Sequence, residues 1–443
     1  MSDFAADKQG TAADAQGTIS ISQRIDRLPM TKGIRKILFV MGIGWMFDAM
    51  DQGMVSGVIA AIGTDWNITT GELGLLGSAG VLGMIFGAAL SGMAADRFGR
   101  RSVIMWTLLI FSIGSVLSGF AVNYYMLLIC RFITGFGLGG ELPAASTLVS
   151  EYSPVKHRGR NVVILESFWA WGWIAAALVA YLAIPEFGWR AAFFIGAVPA
   201  FFAAVIRFAT PESPRYLEQH GRGDEADALV RKLEQEAGIQ YNGATVFGDA
   251  DAKTGPGMLR SIGSLWSKTH LRATAVLWVI WFGINFGYYG FVLWTPSFLV
   301  AQGLDLVRSF QFTLIMCFAQ LPGYLVAALL IEKIGRKPVL TIFMAGTAFA
   351  AWLFGHAGTP GQSLAFGCLL YFFALGAWGC VYSYTPELYP TSVRGIGTGW
   401  AAAFGRIGAF AAPLIVPALY ARFGEETGFV SVFVVLTVVF LAV

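Results

Sequence analysis

The sequence predicts an all-α membrane protein in which twelve transmembrane helices form two pseudo-symmetric bundles of six. Composition, the spacing of apolar segments and an internal repeat lead to this fold class. Of the 443 residues, 56% are hydrophobic and only 13% are charged, whereas soluble domains average about 25% charged residues. Because so few polar side chains cannot cover a water-soluble protein of this size, most of the surface must face lipid. A cytosolic enzyme, a nucleic-acid-binding protein and a disordered scaffold are therefore excluded.

The spacing of apolar segments predicts the individual helices. A membrane-crossing helix needs about 20 mainly apolar residues, and two groups of such segments flank a polar stretch. The predicted spans are residues 38–63, 73–95, 103–122, 125–150, 161–184 and 189–209, followed by 271–301, 310–332, 338–356, 363–385, 397–419 and 427–443. The predicted domains are an N-terminal tail (1–36), a first six-helix bundle (37–210), a central loop (211–269) and a second six-helix bundle (270–443).

The loops between these spans predict the orientation of the chain. Clusters of Lys and Arg follow the second, fourth and eighth predicted spans, and Arg394 follows the tenth. The opposite loops carry only Arg190, Arg308 and Arg422. Because cytoplasmic loops are enriched in Lys and Arg, we expect the basic loops, both termini and the central loop in the cytoplasm. The polar tail has no apolar core, which argues against a cleavable secretory signal.

The cysteines and the end of the chain allow two smaller predictions. Cys130, Cys317, Cys368 and Cys380 lie in apolar segments without CxxC spacing, so we expect small buried side chains rather than disulfides or a metal site. No cofactor is predicted. The last predicted span ends at Val443 without a polar flank, so we expect that a C-terminal tail is missing from the sequence.

The two halves of the sequence repeat with a constant offset. The segment DRFGRR (96–101) aligns with EKIGRK (332–337), 236 residues later. The same offset aligns Glu151 with Glu387, Arg158 with Arg394, Phe168 with Phe404 and Gly172 with Gly408. Parallel six-helix repeats related by an axis along the membrane normal are typical of major facilitator transporters.

The repeated loop also contains a known motif. GMAADRFGRR (92–101) matches the loop 2–3 motif of the major facilitator superfamily in full, and this resemblance implies a cytoplasmic latch that favours the outward-facing state. PESPR (211–215) and PELYP (386–390) resemble the sugar-porter and organic-ion branch. A simple positive-inside charge pattern is the alternative, but the full motif and its second copy favour a latch with gating salt bridges. The predicted gating residues are Asp96, Arg97, Arg100, Glu151, Arg158, Glu332, Arg336, Glu387 and Arg394.

Charged side chains inside a span are costly in lipid and usually mark a transport pathway. Asp48 and Asp51 in the first predicted span are three residues apart and therefore share a helix face. Two carboxylates this close do not both ionise easily in a low dielectric, so the pair is predicted to bind a proton as a unit. The alternative is that one of them braces a neighbouring helix. Both interpretations stay open for Asp48, and the proton carrier is favoured for Asp51.

Three further charges lie inside predicted spans of the first half. Arg131 and Glu141 share the fourth span but point to different faces. Arg131 lies near the outer end and fits a snorkelling anchor as well as a pathway charge. Glu141 is expected to brace the first or second span. Glu166 shares a helix face with Trp169 and Trp173, which indicates either cavity lining or structural bracing.

The second half contains aromatic stripes and one isolated arginine. The stripes comprise Trp281, Asn285, Tyr288 and Tyr289 in the seventh span, and Tyr371, Trp378 and Tyr382 in the tenth. Packing and interface belts are the usual role of such stripes, but two stripes that face a common axis would form a flat aromatic pocket. Arg406 is the only charge in the eleventh span, and its planar guanidinium matches a carboxylate. Its partner is either a protein acid, such as Glu141 or Glu166, or an anionic substrate, which we favour.

Several strings resemble the bacterial niacin (nicotinate) transporters, and the resemblance covers nearly all of residues 38–420. These strings are GWMFDAMD (44–51), GGELPAASTL (139–148), LESFWA (165–170), AQLPGY (319–324), YTPE (384–387) and AAFGRIG (402–408). The resemblance implies proton-linked uptake of nicotinate across the bacterial inner membrane by a monomer. The proton would bind Asp51 and Asp48. The substrate would bind Arg406, Trp169, Glu166, Asn285, Tyr289, Trp378 and Tyr382.

Other functions remain open at this point. The same fold could carry another aromatic acid, nicotinamide or an organic cation, although a cation carrier would be expected to have an acid at Arg406. A receptor or interaction protein without flux is an alternative of a different class. A membrane enzyme is not expected, because the sequence contains no HExxH motif and no GxGxxG after a strand. The expected partners are the lipid bilayer, a small aromatic carboxylate and a proton, without nucleic acid or metal.

Overall fold

The computed structural model describes residues 19–239, 245–246, 263, 265–389 and 393–442, without the side chains of 64, 96, 142, 246, 394, 395 and 425–427. Within these ranges the chain is helical, apart from a two-residue parallel pairing of Ile19–Ser20 with Thr245–Val246. The predicted all-α class is therefore confirmed.

The first half begins with a short helix and continues with long ones. Its helices are α1 (Ile21–Asp26), α2 (Lys32–Asp65), α3 (Thr70–Phe98), α4 (Arg100–Gly119), α5 (Tyr124–Tyr152), α6 (Arg158–Leu182), α7 (Ile184–Phe187), α8 (Trp189–Ile195) and α9 (Pro199–Ala209). The predicted central loop contains two helices, α10 (Pro214–Gln219) and α11 (Gly223–Glu236).

The second half repeats the arrangement of long helices. Its helices are α12 (Leu271–Val292), α13 (Thr295–Ala301), α14 (Leu306–Ile334), α15 (Arg336–Gly355), α16 (Pro360–Tyr384) and α17 (Arg394–Ala442). Gly424 interrupts α17 with φ 75° and ψ 177°, so this element is two helices joined at a kink. A φ in this region favours glycine, which has no Cβ to clash with the backbone.

Ten helices of the described residues are long and apolar enough to cross a membrane. The remaining predicted spans are α2, which is 34 residues long, and the segment Gly428–Ala442 after the kink. The middle of α2 is less apolar because it carries Asp48, Asp51 and Gln52. The helical, multi-pass architecture is therefore confirmed, and the total of twelve spans depends on these two segments.

Two predicted spans are broken rather than continuous. The span predicted at 271–301 divides into α12 and α13, and the span predicted at 189–209 divides into α8 and α9. Pro296 and Pro199 lie in the first turn of α13 and α9. Proline has no N–H to donate and a φ suited to the first helical turn, so it begins a new helix at these positions.

Glycines allow the helices within a half to approach closely. A Cβ on Gly135 of α5 would lie 1.9 Å from the carbonyl oxygen of Gly80 on α3, and one on Gly323 of α14 would lie 2.1 Å from that of Phe372 on α16. Small residues are the usual means of bringing helix backbones together in lipid. These contacts make each half a compact bundle.

The two halves meet along α3 with α17 and along α6 with α14. Between them, the Ser56 hydroxyl donates to the Val292 carbonyl at 3.1 Å, and the Ser78 hydroxyl donates to the Phe410 carbonyl at 2.9 Å. A Cβ on Gly74 would lie 2.3 Å from the Pro413 carbonyl oxygen. All these contacts lie toward the end of the bundle where α2 ends and α3 begins. We call this the sealed end.

The other end carries the basic loops, and we call it the basic end. Arg100 Nε lies 3.5 Å from Glu151 Oε2, and Arg336 Nε lies 2.8 Å from Glu387 Oε1. These two ion pairs are related by the 236-residue offset. The turns before α4 and α15 are equivalent too, because Gly99 and Gly335 have φ values of 91° and 85°. The sequence repeat thus corresponds to a structural repeat at this end.

Some predicted gating residues have partners that the sequence did not indicate. Arg158 donates from Nη2 to Asp26 Oδ1 of α1 at 2.7 Å, whereas Glu151 contacts Arg100. Arg97 and Glu332 are exposed. The side chains of Asp96 and Arg394 lie outside the described part of the structure.

Candidate functional site

Most of the charges predicted inside the spans lie near one another between the two halves. Asp48, Asp51, Arg131, Glu141 and Glu166 are each at most 7% exposed. Arg406 of α17 is half-buried and faces this group from the second half. Ionised groups at this depth require partners, so their contacts indicate which charges are balanced and which are not.

Asp51 and Arg131 form a buried ion pair. Arg131 Nη2 donates to Asp51 Oδ2 at 2.9 Å, and Nη1 lies 3.4 Å from Oδ1. The Ser115 hydroxyl lies 3.4 Å from the same Oδ1, and the Arg131 guanidinium lies over the Phe193 ring. Arg131 is 2% exposed, so it does not reach the membrane interface as a snorkelling side chain would.

Asp48 faces Glu141 rather than sharing a partner with Asp51. The two carboxyl groups lie within hydrogen-bonding reach of each other. Glu141 packs against α2 at Gly44, where a Cβ would lie 2.3 Å from Glu141 Oε1. The two carboxylates of α2, which the sequence groups together, therefore have different partners on α5. The expected contact of Glu141 with the first span is present.

Glu166 and two tryptophans form the next layer of the site. Glu166 lies beside the Trp45 indole N–H, and the Trp45 and Trp169 rings are 4.9 Å apart. Tyr324 and Tyr382 of the second half lie close enough for the charge of Glu166 to act on them. The side chains of α2 and α6 thus meet those of α14 and α16 at this level.

The two predicted aromatic stripes contact each other. Trp281 of α12 lies 5.2 Å from Tyr382 and 5.8 Å from Trp378, both on α16, measured between ring centroids. Trp378 and Tyr382 are stacked at 5.8 Å. Tyr288 joins this group through Trp378 at 5.9 Å. Tyr371 is buried further toward the sealed end, where its hydroxyl donates to Thr295 at 3.0 Å.

Arg406 lies at the edge of this aromatic group. Its Nη1 is buried and has no hydrogen-bond partner among the described residues. Tyr289 and Tyr382 are close enough for the Arg406 charge to act on their hydroxyls. Asn285 lies beside the neighbouring Gly405, where a Cβ would be 2.6 Å from Asn285 Nδ2. A guanidinium with an unused donor, next to aromatic rings, is suited to a carboxylate on a flat ligand.

The structure adds residues that the sequence did not single out. The Tyr289 hydroxyl donates to Gln52 Oε1 at 3.1 Å, which joins the two halves beside Asp51. A cavity of about 20 Å³, room for one water molecule, is lined by Gln52, Arg131, Trp173 and Tyr289 among others. The position of Gln52 next to Asp51 in the sequence was the available signal for its role.

Family comparison identifies the kind of protein that contains this site. Residues 36–443 match the family described as sugar (and other) transporter. The chain belongs to this family of the major facilitator superfamily. The predicted superfamily is therefore confirmed, and the site between the halves belongs to a membrane transporter.

Relatives and solved structures agree with this assignment. The transporter is 47% identical over 425 residues to the niacin transporter NiaP of Acinetobacter baylyi, covering 96% of this chain and 95% of the relative. It is 46% identical over 388 residues to a Bacillus subtilis relative named for niacin and nicotinamide, covering 88% and 89% of the two chains. The expected resemblance to niacin transporters is thus confirmed. Its fold is similar to the partially occluded inward open xylose transporter XylE from E. coli, with a TM-score of 0.72, 19% identity, and coverage of 92% of this chain and 96% of that chain.

Proposed function

We propose that this transporter imports nicotinate by proton symport through alternating access of its two halves. The observation that carries the proposal is Arg406, whose buried Nη1 has no hydrogen-bond partner among the described residues and which lies at the edge of the aromatic group, near Tyr289 and Tyr382. The 47% identity to a niacin transporter supports the same substrate. Proton coupling, direction and site residues are the parts of the proposal that experiment must test.

The chemistry of the substrate matches the chemistry of the site. Nicotinate is a flat aromatic ring with one carboxylate, and the guanidinium of Arg406 can bind both oxygens of that carboxylate. Trp169, Trp378 and Tyr382 offer ring faces for stacking, which adds about 0.5–1.5 kcal/mol per aromatic pair. Asn285 and Tyr289 supply polar groups that can orient the pyridine nitrogen. Glu166 completes this pocket on the side of the first half.

Proton coupling follows from the charge of the substrate and from Asp51. A small anion that enters a cell with a negative interior moves against the membrane potential, so it needs a co-transported cation. A proton on Asp51 would weaken its ion pair with Arg131, which is 2.9 Å long in this conformation. The Gln52–Tyr289 hydrogen bond lies beside this pair, so the change could reach the interface between the halves. Asp48 is the neighbouring carboxylate that would share in proton binding.

The direction of transport follows from the two ends of the bundle. The excess of Lys and Arg in the basic loops favours a cytoplasmic location for the basic end, both termini and the central loop in a bacterial inner membrane. The halves are joined at the sealed end in this conformation, so the site faces the cytoplasm. Release of the basic-end latch would accompany closure of the sealed end, and the reverse movement would close the basic end and open the sealed end as the halves rock about the site. The latch comprises the predicted gating residues, including the Arg100–Glu151 and Arg336–Glu387 ion pairs.

Proteoliposomes test this proposal directly. The full chain should accumulate labelled nicotinate when an inward proton gradient is imposed, and Arg406→Ala should lower its affinity by roughly 100-fold, the loss of about 3 kcal/mol from charged hydrogen bonds. Arg308→Ala, which removes an exposed arginine from the first turn of α14, is the matched control and should transport normally.

Competition experiments distinguish the alternatives. Benzoate should compete with nicotinate because it keeps the carboxylate, and nicotinamide should compete poorly. Equal inhibition by nicotinamide would contradict the role of Arg406 as a carboxylate clamp. Binding of nicotinate without flux would instead indicate a receptor, and normal uptake by Arg406→Ala would refute the site.

A further inference from the structure

We infer that Glu141 is a further proton-coupling residue, which forms with Asp48 a buried dicarboxylate site that takes up one proton when the carboxylate of the substrate binds Arg406. This inference rests on the proposed function and extends it, because the sequence assigned Glu141 to bracing or to a pairing with Arg406 and not to proton binding. It concerns the proton that is linked to substrate binding, as distinct from the ion pair of Asp51.

The geometry of the pair is that of two carboxyl groups enclosed without donors. Asp48 is 0% exposed and Glu141 is 1% exposed. Both oxygens of Asp48 and Oε2 of Glu141 are buried and have no hydrogen-bond donor among the described residues. Glu141 Oε1 occupies the space that a side chain on Gly44 would fill, so the glycine makes room for this carboxyl group against α2. Two ionised carboxylates in this position would repel each other, and the single positive charge of Arg406 can balance only one of them, so the pair is expected to hold at least one proton.

Among the charged groups around this pair, Arg406 is the cation that balances the negative charge of Asp48 and Glu141. The charges that act on Asp48 are those of Glu141, Asp51 and Arg406. Arg131 is occupied by Asp51 at 2.9 Å, and the ionisable groups near Arg406 are Tyr289 and Tyr382 of the second half. Glu166 lies beside the Trp45 indole. All other charged residues of α2–α6, α8 and α9 belong to the terminal turns of those helices.

Substrate binding changes this balance by one charge. Without substrate, the pair holds one proton and one negative charge, and the positive charge of Arg406 compensates it. When the carboxylate of nicotinate binds Arg406, that compensation is lost, and the second carboxyl group takes a proton from solvent. One O–H bond forms on the carboxyl group and one bond to hydrogen breaks in the hydronium ion or buffer acid that gives the proton, and the site stays neutral with one anion and one proton bound. By linkage, protonation of the pair strengthens substrate binding to the same extent.

A proton fits this site better than a metal ion. Among the described residues, no group of three or more His, Cys, Asp or Glu side chains could hold a metal. Two carboxyl groups alone offer too few ligands for a hard divalent cation, which takes six or more oxygens. A proton requires only the two facing oxygen atoms.

Calorimetry of nicotinate binding to the purified full chain tests the inference. Titrations in two buffers of different ionisation enthalpy give the number of protons taken up per nicotinate. The wild type should take up about one proton, and its Kd should rise about tenfold per pH unit where uptake occurs. The double variant Asp48→Asn/Glu141→Gln, which has no carboxyl group at the site, should take up close to none and lose the pH slope of Kd. Asp48→Asn alone leaves Glu141 to bind the proton and should keep both. Glu186→Gln, the same change on an exposed glutamate, should behave as wild type.

The outcomes separate this inference from the proposed function. A wild type that does not bind nicotinate would contradict the proposed function itself. Proton uptake and a pH slope that both persist in the double variant, or that are both lost in Asp48→Asn alone, would overturn the dicarboxylate inference alone. Asp48→Asn/Glu141→Asp keeps one carboxyl group and should retain part of the proton uptake, which a purely structural role of Glu141 would not explain. If the double variant elutes as aggregate, loss of proton uptake in Asp48→Asn would still overturn the inference.

Discussion

The two halves of this transporter share a scaffold but differ in the charges they place at its centre. At the basic end, the offset of 236 residues repeats the ion pair, the glycine turn and the helix order. At the centre, the first half contains five charged side chains and the second half contains Arg406. The repeated features set helix packing and opening, whereas the unrepeated ones carry the chemistry.

Each central charge has an apolar or small residue at the equivalent position of the other half. At this offset the pairs are Asp48 with Ile284, Asp51 with Gly287, Arg131 with Gly367, Glu141 with Ala377, Glu166 with Ala402, and Arg406 with Ala170. Gly287 illustrates the difference, because a Cβ there would lie 2.2 Å from the Phe440 ring. Close packing determines the residue type at Gly287 in the second half, whereas charge balance determines the residue type at the equivalent Asp51 in the first half. Under the proposed function, the first half handles the proton and the second half anchors the substrate.

The largest expected effect comes from breaking the buried ion pair of the first half. Asp51→Asn leaves Arg131 charged and 2% exposed, so the variant should lose about 3–5 kcal/mol of stability. It should also lose accumulation driven by a proton gradient. Thermal unfolding in detergent and uptake into proteoliposomes measure the two effects. Unchanged stability would contradict the charge balance described for the first half.

An intermediate effect should distinguish the two gating pairs. The side chains of Arg100 and Glu151 are 10% and 12% exposed, whereas those of Arg336 and Glu387 are 43% and 47% exposed. Glu151→Gln should therefore cost about 1–3 kcal/mol, and Glu387→Gln about 0–1 kcal/mol. Chemical unfolding of both variants, at low and high salt, measures this difference. Equal losses would show that the pseudo-symmetric pairs are energetically equivalent despite their different burial.

The smallest expected effect concerns the N-terminal helix α1, which is attached to α11 of the central loop. Arg24 of α1 is buried and bonds to Asp227 and, at 2.7 and 2.9 Å, to Glu234 of α11. Burial alone would raise the pKa of Asp227, but hydrogen bonds from Arg231, Arg24 and Thr245 lower it overall. A lowered pKa stabilises the docked helix above the ordinary range of Asp, about 3.9, and this stabilisation is lost as the pH falls through the lowered value.

Spin labels can follow this docking. With labels at Arg27→Cys and Lys232→Cys, both exposed positions, the distance distribution should stay narrow from about pH 7 to 5 and broaden below about pH 4. Asp227→Asn should broaden it at every pH. A distribution that stays narrow at low pH in the parent protein would exclude Asp227 as the group that controls docking.

Much of the fold and part of the site could be predicted from the sequence. Long apolar segments require helices in lipid, and the constant offset requires two similar bundles. The breaks before Pro296 and Pro199 were not predicted, because apolar composition continues across both, whereas Gly424 interrupts α17 inside the loop predicted between residues 419 and 427. Charges inside spans stood out because lipid makes them rare. Their type and position could be read without any structure.

The sequence by itself determined that this is a two-bundle membrane protein with a few costly charges at its centre. Only the tertiary structure decided which charges meet. Helix periodicity placed Asp48 and Asp51 on one face, but the antiparallel course of α5 brings Arg131 to one and Glu141 to the other. Helix periodicity fixes the direction in which a side chain points around the axis of its helix. The residue that this side chain contacts depends on how a second helix is positioned along that axis. For the same reason, Arg406 was predicted as a binding residue from its isolation in the sequence, and its unpartnered Nη1 became visible only in the assembled bundle.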